Sequence, residues 1–167
     1  MTIHSFLGQK RACGDAREWA KQYATISEIV KNCHRGDWLL WLAQKIEIDQ
    51  RPMTLAKGLC AKTVIHLMKD QRSIDAVNAA IDYGNGVISD VVLKNYAADA
   101  SAAATAAYAA AAYAADAAAA YAADASDASA TAAAAAAAAR IKSQKQTADI
   151  CREVLGQLII NKINDLI

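Results

Sequence analysis

The chain has 167 residues with a single proline, a formal net charge of +1 and 55% hydrophobic residues, a figure inflated by alanine. That balance excludes a general nucleic-acid binder, which carries a clear excess of base, and the length suits one domain, spanning 1–167, with a real core. Met1 to Lys10 lacks an apolar core of signal-peptide length, and the longest hydrophobic run is alanine interrupted by Asp, so the expectation is a cytoplasmic protein with no membrane partner.

In chain order, Met1 to Arg11 is expected to be an irregular or short leading segment. Asp15-Ala-Arg-Glu18 has the form of a capping box, and the helix it opens would turn Ala16, Trp19, Ala20 and Tyr23 to one side. Thr25-Ile-Ser-Glu28 is a second capping box, opening a helix with Ile26, Ile29 and Val30 inward. That helix should end near Cys33-His34, with Gly36 in the left-handed position beyond it. Asp37 is then expected to cap a helix in which Trp38, Leu39, Trp41, Leu42 and Ile46 recur at helical spacing. Pro52 fits a first turn. Leu55, Leu59, Thr63 and Leu67 follow at intervals of four, as in an amphipathic core helix. Ser73 is expected to cap the next helix, with Val77, Ala80 and Ile81 inward, and Tyr83-Gly84-Asn85-Gly86 to stop it. Neither flank of Asn85-Gly86 alternates, so the pair predicts a helix–helix connection rather than a hairpin of strands.

Between Ala97 and Ala139, 31 of 43 residues are alanine, and there is no Gly, Pro or β-branched hydrophobe. Alanine loses no side-chain entropy on entering a helix, so the stretch is predicted helical. A straight helix of that length would span about 65 Å. A domain of this size has a radius of gyration near ~15 Å. The run is therefore expected to fold back as a hairpin of two packed helices. The break is placed at the cap-forming cluster Asp124-Ala-Ser126-Asp127-Ala-Ser129, with Asp99-Ala-Ser101 as the second choice. Asp99, Asp116, Asp124 and Asp127 share an arc of roughly 100° at the helical angle per residue. One face is thus acidic and the others methyl-lined. Net charge divides as +3 over 1–96, −4 over 97–139 and +2 beyond. After the run, Arg140, Lys142 and Lys145 are expected to form a basic turn. An amphipathic helix through Ile150, Cys151, Val154 and Leu155 follows, and Gly156 is expected to stop or kink it before a last short helix. The whole pattern predicts an all-α, single-domain helical bundle.

Little in the chain resembles catalytic machinery. The four cysteines form no CxxC pair and no zinc spacing, and the histidines are scattered, so no metal and no cofactor are expected. Free, mostly buried thiols of a reducing compartment are the simpler reading. Cys33 and His34 are adjacent, but neighbours on a helix point about 100° apart and do not make a dyad. No Gly-rich phosphate loop is present. Arg35-Gly36-Asp37 spells an adhesion tripeptide, yet it falls between a helix stop and a helix start. An ice-binding or purely structural role for the alanine helices is the alternative to a binding function. It is weakened because Asp116 and Asp127 occupy the positions eleven and twenty-two beyond Thr105, where a hydroxyl row would need Thr. An uncharacterised small enzyme is the remaining alternative.

The order of motifs carries a resemblance. An early Ala12-Cys13 and Trp19 helix is followed by Arg35-Gly36-Asp37-Trp38-Leu39-Leu40-Trp41-Leu42. A Leu/Ala/Cys helix, the long Ala/Tyr/Asp run and Thr147-Ala148-Asp149-Ile150-Cys151-Arg152 come after it. This resembles a bacterial family of immunity proteins of polymorphic-toxin systems, the immunity-protein-five-like group, over nearly the whole chain. The resemblance implies an all-helical protein that neutralises a cognate protein toxin by binding it, without catalysis. Two surfaces are candidates for that partner. One is the acidic face with Asp116, Asp124 and Asp127, suited to a basic toxin cleft. The other is the neighbourhood of Arg35 and Trp38, residue types that dominate binding hot spots. An exposed alanine seam would also allow a homodimer.

Overall fold

The computed structural model describes residues 1–98 and 126–167, with the backbone alone described over 126–136 and at 140. The described residues are helical and contain no strand, which makes the protein all-α. The helices are α1 (Ile3–Gln9), α2 (Gly14–Ala20), α3 (Ile26–Asn32), α4 (Gly36–Lys45), α5 (Gln50–Lys62), α6 (Gln71–Gly84), α7 (residues 90–98) and α8 (Ser126–Asn164). A single 3₁₀ turn, Ile65–Leu67, lies between α5 and α6. No described helix is long and apolar enough to cross a membrane. The fold-back expected of 97–139 lies outside the described residues, except that residues 126–139 form the start of α8 as described.

α8 is the element on which the others are laid. Ala148, Cys151, Leu155, Ile159 and Ile163 recur at three and four residues, and all are fully closed to solvent. Each large aliphatic side chain buried in this way contributes about 1.5–3 kcal/mol. α4 packs most extensively against this stripe, followed by α5 and α3, and α6 packs chiefly on α5. One core joins the stripe to Ile3, Phe6 and Leu7 of α1, to Ile26, Ile29 and Val30 of α3 and to Leu39 and Leu42 of α4.

Two expectations for α8 are overturned by this packing. Arg140, Lys142 and Lys145 make no turn, because the helix runs straight through them. Gly156 does not stop it. It is buried, and a Cβ there would lie 3.2 Å from Val30 Cγ1, so its smallness admits α3. The α5–α6 crossing uses the same device: a Cβ on Gly84 would lie 2.8 Å from Leu55 Cα, and one on Gly58 would lie 3.0 Å from Ile81 Cγ1.

Helix starts follow local chemistry where that chemistry is complete. Thr25 and Glu28 form the expected capping box, with Glu28 N–H donating to Thr25 Oγ1 at 3.2 Å and Thr25 N–H donating to Glu28 Oε2 at 3.0 Å. The Thr25 amide foremost, with the Ala24 amide and the Thr25 hydroxyl, donates to the Glu28 carboxyl and holds it below its usual range. The other expected starts are corrected. α1 forms within the supposed irregular or short lead, capped by Thr2. Cys13 precedes α2 and no Asp15–Glu18 box forms. Arg35, not Asp37, stands before α4, and Gly36 is the first helical residue rather than a left-handed stop. Asp70, not Ser73, caps α6 by accepting from the Arg72 amide at 2.9 Å. On α5 the core face is Met53, Ala56 and Gly58. Leu55 and Leu59 are only half-buried, and Leu67 is exposed beyond the helix end.

Three helices end in the same way. After α6, Gly86 takes φ +79°, its N–H donates to Tyr83 O at 3.0 Å, and Val87 N–H donates to Asp82 O at 2.8 Å. This pair of bonds is a Schellman motif, and Gly is its usual left-handed residue. α1 and α4 end with the same bonds but with Arg11 (φ 60°) and Glu47 (φ 57°) in the left-handed place. A side chain there costs about 1–2 kcal/mol.

Gly36 meets α8 most closely. A Cβ on it would lie 2.7 Å from both the carbonyl carbon and Oγ1 of Thr147. Gly36→Ala is therefore expected to overpack the α4–α8 contact and cost about 1–3 kcal/mol. Gly8 is also helical but has nothing within 4 Å of a would-be Cβ, so Gly8→Ala should stabilise by about 0.4–1 kcal/mol. Urea unfolding midpoints of the two variants check this; equal effects would mean that the close approach at Gly36 does not constrain the fold.

Candidate functional site

The junction between α3 and α4 is built by groups that satisfy the loose end of α3. The last carbonyls of a helix have no partner within it. Here Arg152 of α8 supplies one from 119 residues away, donating through Nη2 to Cys33 O at 2.6 Å and through Nε to Val30 O at 3.1 Å. Asp149 holds the same guanidinium at 2.6 Å. The Cys33 thiol donates to Arg35 O at 3.3 Å, and burial pushes its pKa up. The chain thus leaves α3 in a fixed direction, and Arg35, Asp37 and Trp38 are aimed by backbone held at both sides.

Arg35 is clamped from two directions. Its Nε and Nη2 donate to Asp37 Oδ1 and Oδ2 at 2.9 and 2.6 Å, a bidentate pair. Its guanidinium carbon lies 4.8 Å from the centre of the Trp38 ring. Trp38 belongs to an aromatic cluster: the Trp19 ring lies 5.7 Å from Trp38, 5.0 Å from Tyr23 and 5.5 Å from His34, and His34 lies 5.6 Å from Trp38. Offset and edge contacts at such distances are the favourable aromatic geometries. The imidazole of His34 is exposed among the indoles while the Cys33 thiol is buried on the Arg35 carbonyl, so the adjacent pair has no shared orientation.

These residues line a cleft of about 460 Å³ between α1, α2 and α4. Its base is buried and apolar, with Leu7, Ala12, Ala20, Ile29, Leu39 and Leu42. Trp19, Trp38 and Trp41 are half-buried along it, and Arg11, Cys13, Arg35 and Asp37 are among the other lining residues. Arg35 is neutralised by Asp37, whereas the exposed Arg11 guanidinium makes no hydrogen bond or ion pair with the described residues. The cleft thus offers an apolar slot with one uncompensated positive charge.

Of the residues singled out by sequence, Arg35 and Trp38 come together here. Asp116 and Asp124 lie outside the described residues, and Asp127 is described only as backbone in α8. Arg11, Cys13 and Trp19 were not among the partner-binding candidates. Trp19 carried a signal, an inward aromatic six residues before the Thr25–Glu28 capping box. Arg11 carried none, because left-handed helix ends are sought at Gly or Asn. Among the described residues, no three His, Cys, Asp or Glu side chains gather into a metal-ligating group. No family model, curated protein or solved structure matches the chain.

Hydrogen bonds from Arg35 hold the Asp37 carboxyl below its usual range, against the opposing effect of partial burial. A depressed carboxyl stabilises the fold fully above its unfolded pKa near ~3.9, and that contribution fades as pH falls through the lower folded value. Wild-type stability should therefore fall with acid below about pH 4, and Asp37→Asn should flatten that limb. Urea midpoints from pH 2 to 6, read by tryptophan fluorescence, test this; an unchanged acid slope in the variant would mean that the Arg35–Asp37 pair does not couple to folding.

Proposed function

We propose that the protein is a non-catalytic interaction protein of the immunity type, which neutralises a cognate bacterial toxin by binding it, and that the α1–α2–α4 cleft is its docking surface. The observation that carries this reading is a coincidence of position. The segment most specific to the resemblance, Arg35 to Leu42, is the segment that supplies Arg35, Asp37, Trp38, Leu39, Trp41 and Leu42 to the cleft. Half-buried Trp beside Arg is the composition of an interface hot spot. The unpaired Arg11 favours a partner that places an acidic side chain at the mouth and an apolar or aromatic one in the slot.

Inhibition by binding needs a rigid complementary surface, and the cleft is rigid where it matters. Trp38 is in contact with the Trp19 and His34 rings and with the Arg35 guanidinium, so little side-chain freedom is lost when a partner covers it. Arg11 adds a second argument. Its left-handed backbone is a cost that Gly would avoid, and non-glycine residues held in such conformations cluster at functional sites.

The test takes the genes that flank this protein's own. A neighbourhood with no toxin gene would overturn the immunity reading. A flanking gene that encodes a toxin domain is the expected result, and that domain is the binding partner to assay. The full chain should bind that domain and restore growth to cells producing it. Trp38→Ala is expected to weaken the complex by about 2 kcal/mol, roughly 30-fold. Arg11→Gly should weaken it about tenfold, or ~1.4 kcal/mol, while raising stability by about 0.5–1 kcal/mol through relief of the left-handed side chain. A variant that gains stability and loses affinity cannot be losing affinity by unfolding. Titration calorimetry and urea midpoints on the same proteins decide the matter. Absence of any complex would overturn the immunity reading, and wild-type affinity in both variants would overturn the choice of surface.

A further inference from the structure

Cys60 of α5 and Cys151 of α8 stand 91 residues apart in sequence, yet their sulfurs are 3.7 Å apart. Both are free thiols. Cys151 is fully closed to solvent, whereas Cys60 is half-buried and therefore reachable by a small reagent. Cys60 Sγ also lies 3.8 Å from the Thr147 carbonyl, so the turn of α8 from Thr147 to Cys151 receives it at both ends. A disulfide requires sulfurs at about 2.05 Å. The sulfurs already stand in contact, on two helices that pack against each other, so only a short closure remains.

We propose that Cys60 and Cys151 form a dithiol modification site, which a hydroperoxide oxidises to an intramolecular disulfide joining α5 to α8. Cys60 is the attacking sulfur. Its thiolate attacks a peroxide oxygen, the O–O bond breaks, and hydroxide leaves to be protonated as water, so that Cys60 becomes a sulfenic acid. The Cys151 sulfur then attacks the Cys60 sulfur. The S–O bond breaks, and the hydroxyl departs as water with the Cys151 proton. Two thiols and one hydrogen peroxide yield one disulfide and two waters, the sulfur pair giving up the two electrons that the peroxide gains. The division of roles follows from the surroundings. The hydrogen bond with Cys151 holds the Cys60 thiol below its ordinary pKa, while the same bond and burial push Cys151 up. The other two thiols stand apart from this chemistry: Cys13 is exposed on the cleft, and Cys33 donates to Arg35 O. The bond would fasten the turn of α8 against which Gly36 rests, and so the start of the helix that carries Trp38.

The experiment treats the native full chain with hydrogen peroxide at near-stoichiometric amounts, then counts thiols after denaturation and maps peptides by mass spectrometry. The expected result is a fall from four thiols to two, a cross-linked peptide containing Cys60 and Cys151, reversal by dithiothreitol, and a higher unfolding temperature for the oxidised form. Cys13→Ser should leave the cross-link intact, and Cys60→Ser should abolish it. Four surviving thiols, a cross-link through Cys13 or Cys33, or oxidation that stops at Cys60 without joining Cys151 would each overturn the proposal. Mapping of the wild-type chain decides even if Cys60→Ser fails to fold.

Discussion

The stripe of Ala148, Cys151, Leu155, Ile159 and Ile163 along α8 is closed to solvent at every position, and α3, α4 and α5 all lie against it. The cleft depends on this stripe at one remove. α4 brings Trp38 and Trp41, α3 ends where Arg35 begins, and α1 joins through the shared core. A polar contact fixes what the apolar stripe alone would leave loose. Hydrophobic burial is non-directional, whereas the Arg152 guanidinium accepts only one placement of the α3 carbonyls it caps. Burial brings α3 and α4 to α8, and Arg152 sets the angle at which the chain passes from one to the other.

Arg35-Gly36-Asp37 illustrates how three adjacent residues meet three separate demands. Gly36 is required by a neighbouring backbone, since any side chain would strike Thr147. Asp37 lies in the first turn of α4, where a helix favours negative charge, and it neutralises Arg35. Arg35, so held, stacks on Trp38 and shows its face to the cleft. The tripeptide is thus accounted for by packing and local charge, and its likeness to an adhesion signal is incidental to those roles.

The parts of the fold legible in the sequence were those decided within a few residues. The Thr25–Glu28 box and the Gly86 stop each carry their whole chemistry in four or five positions, and both form as the residues dictate. Asp15, Asp37 and Ser73 have the composition of caps, but α2 and α4 already begin at Gly14 and Gly36, and Asp70, three residues ahead of Ser73, takes the cap of α6. Gly156 does not end α8: a lone glycine costs a helix about 1 kcal/mol, and here the helix runs on through it with the glycine buried beside Val30. In the site, Arg35 and Trp38 were legible because aromatic and guanidinium groups crowd one short segment. Arg11 was not, since nothing local announces a left-handed arginine. Nor was the Cys60–Cys151 pair, which is set by the α5–α8 packing rather than by spacing.

α8 is continuous in geometry and divided in energetics. From Ala148 to Ile163 its inward face is sealed in the core, but from 137 to 146 every described residue except Gln144 is exposed. Amide protons in the first part can reach water only when the bundle comes apart, whereas those in the second lie on a stretch with no buried face among the described residues and are released by fraying. A single run of backbone hydrogen bonds therefore spans the most and the least protected ends of the exchange scale. For the described residues from 137 to 146, helix nucleation, the costly step, is already complete at Ala148, and only propagation is left.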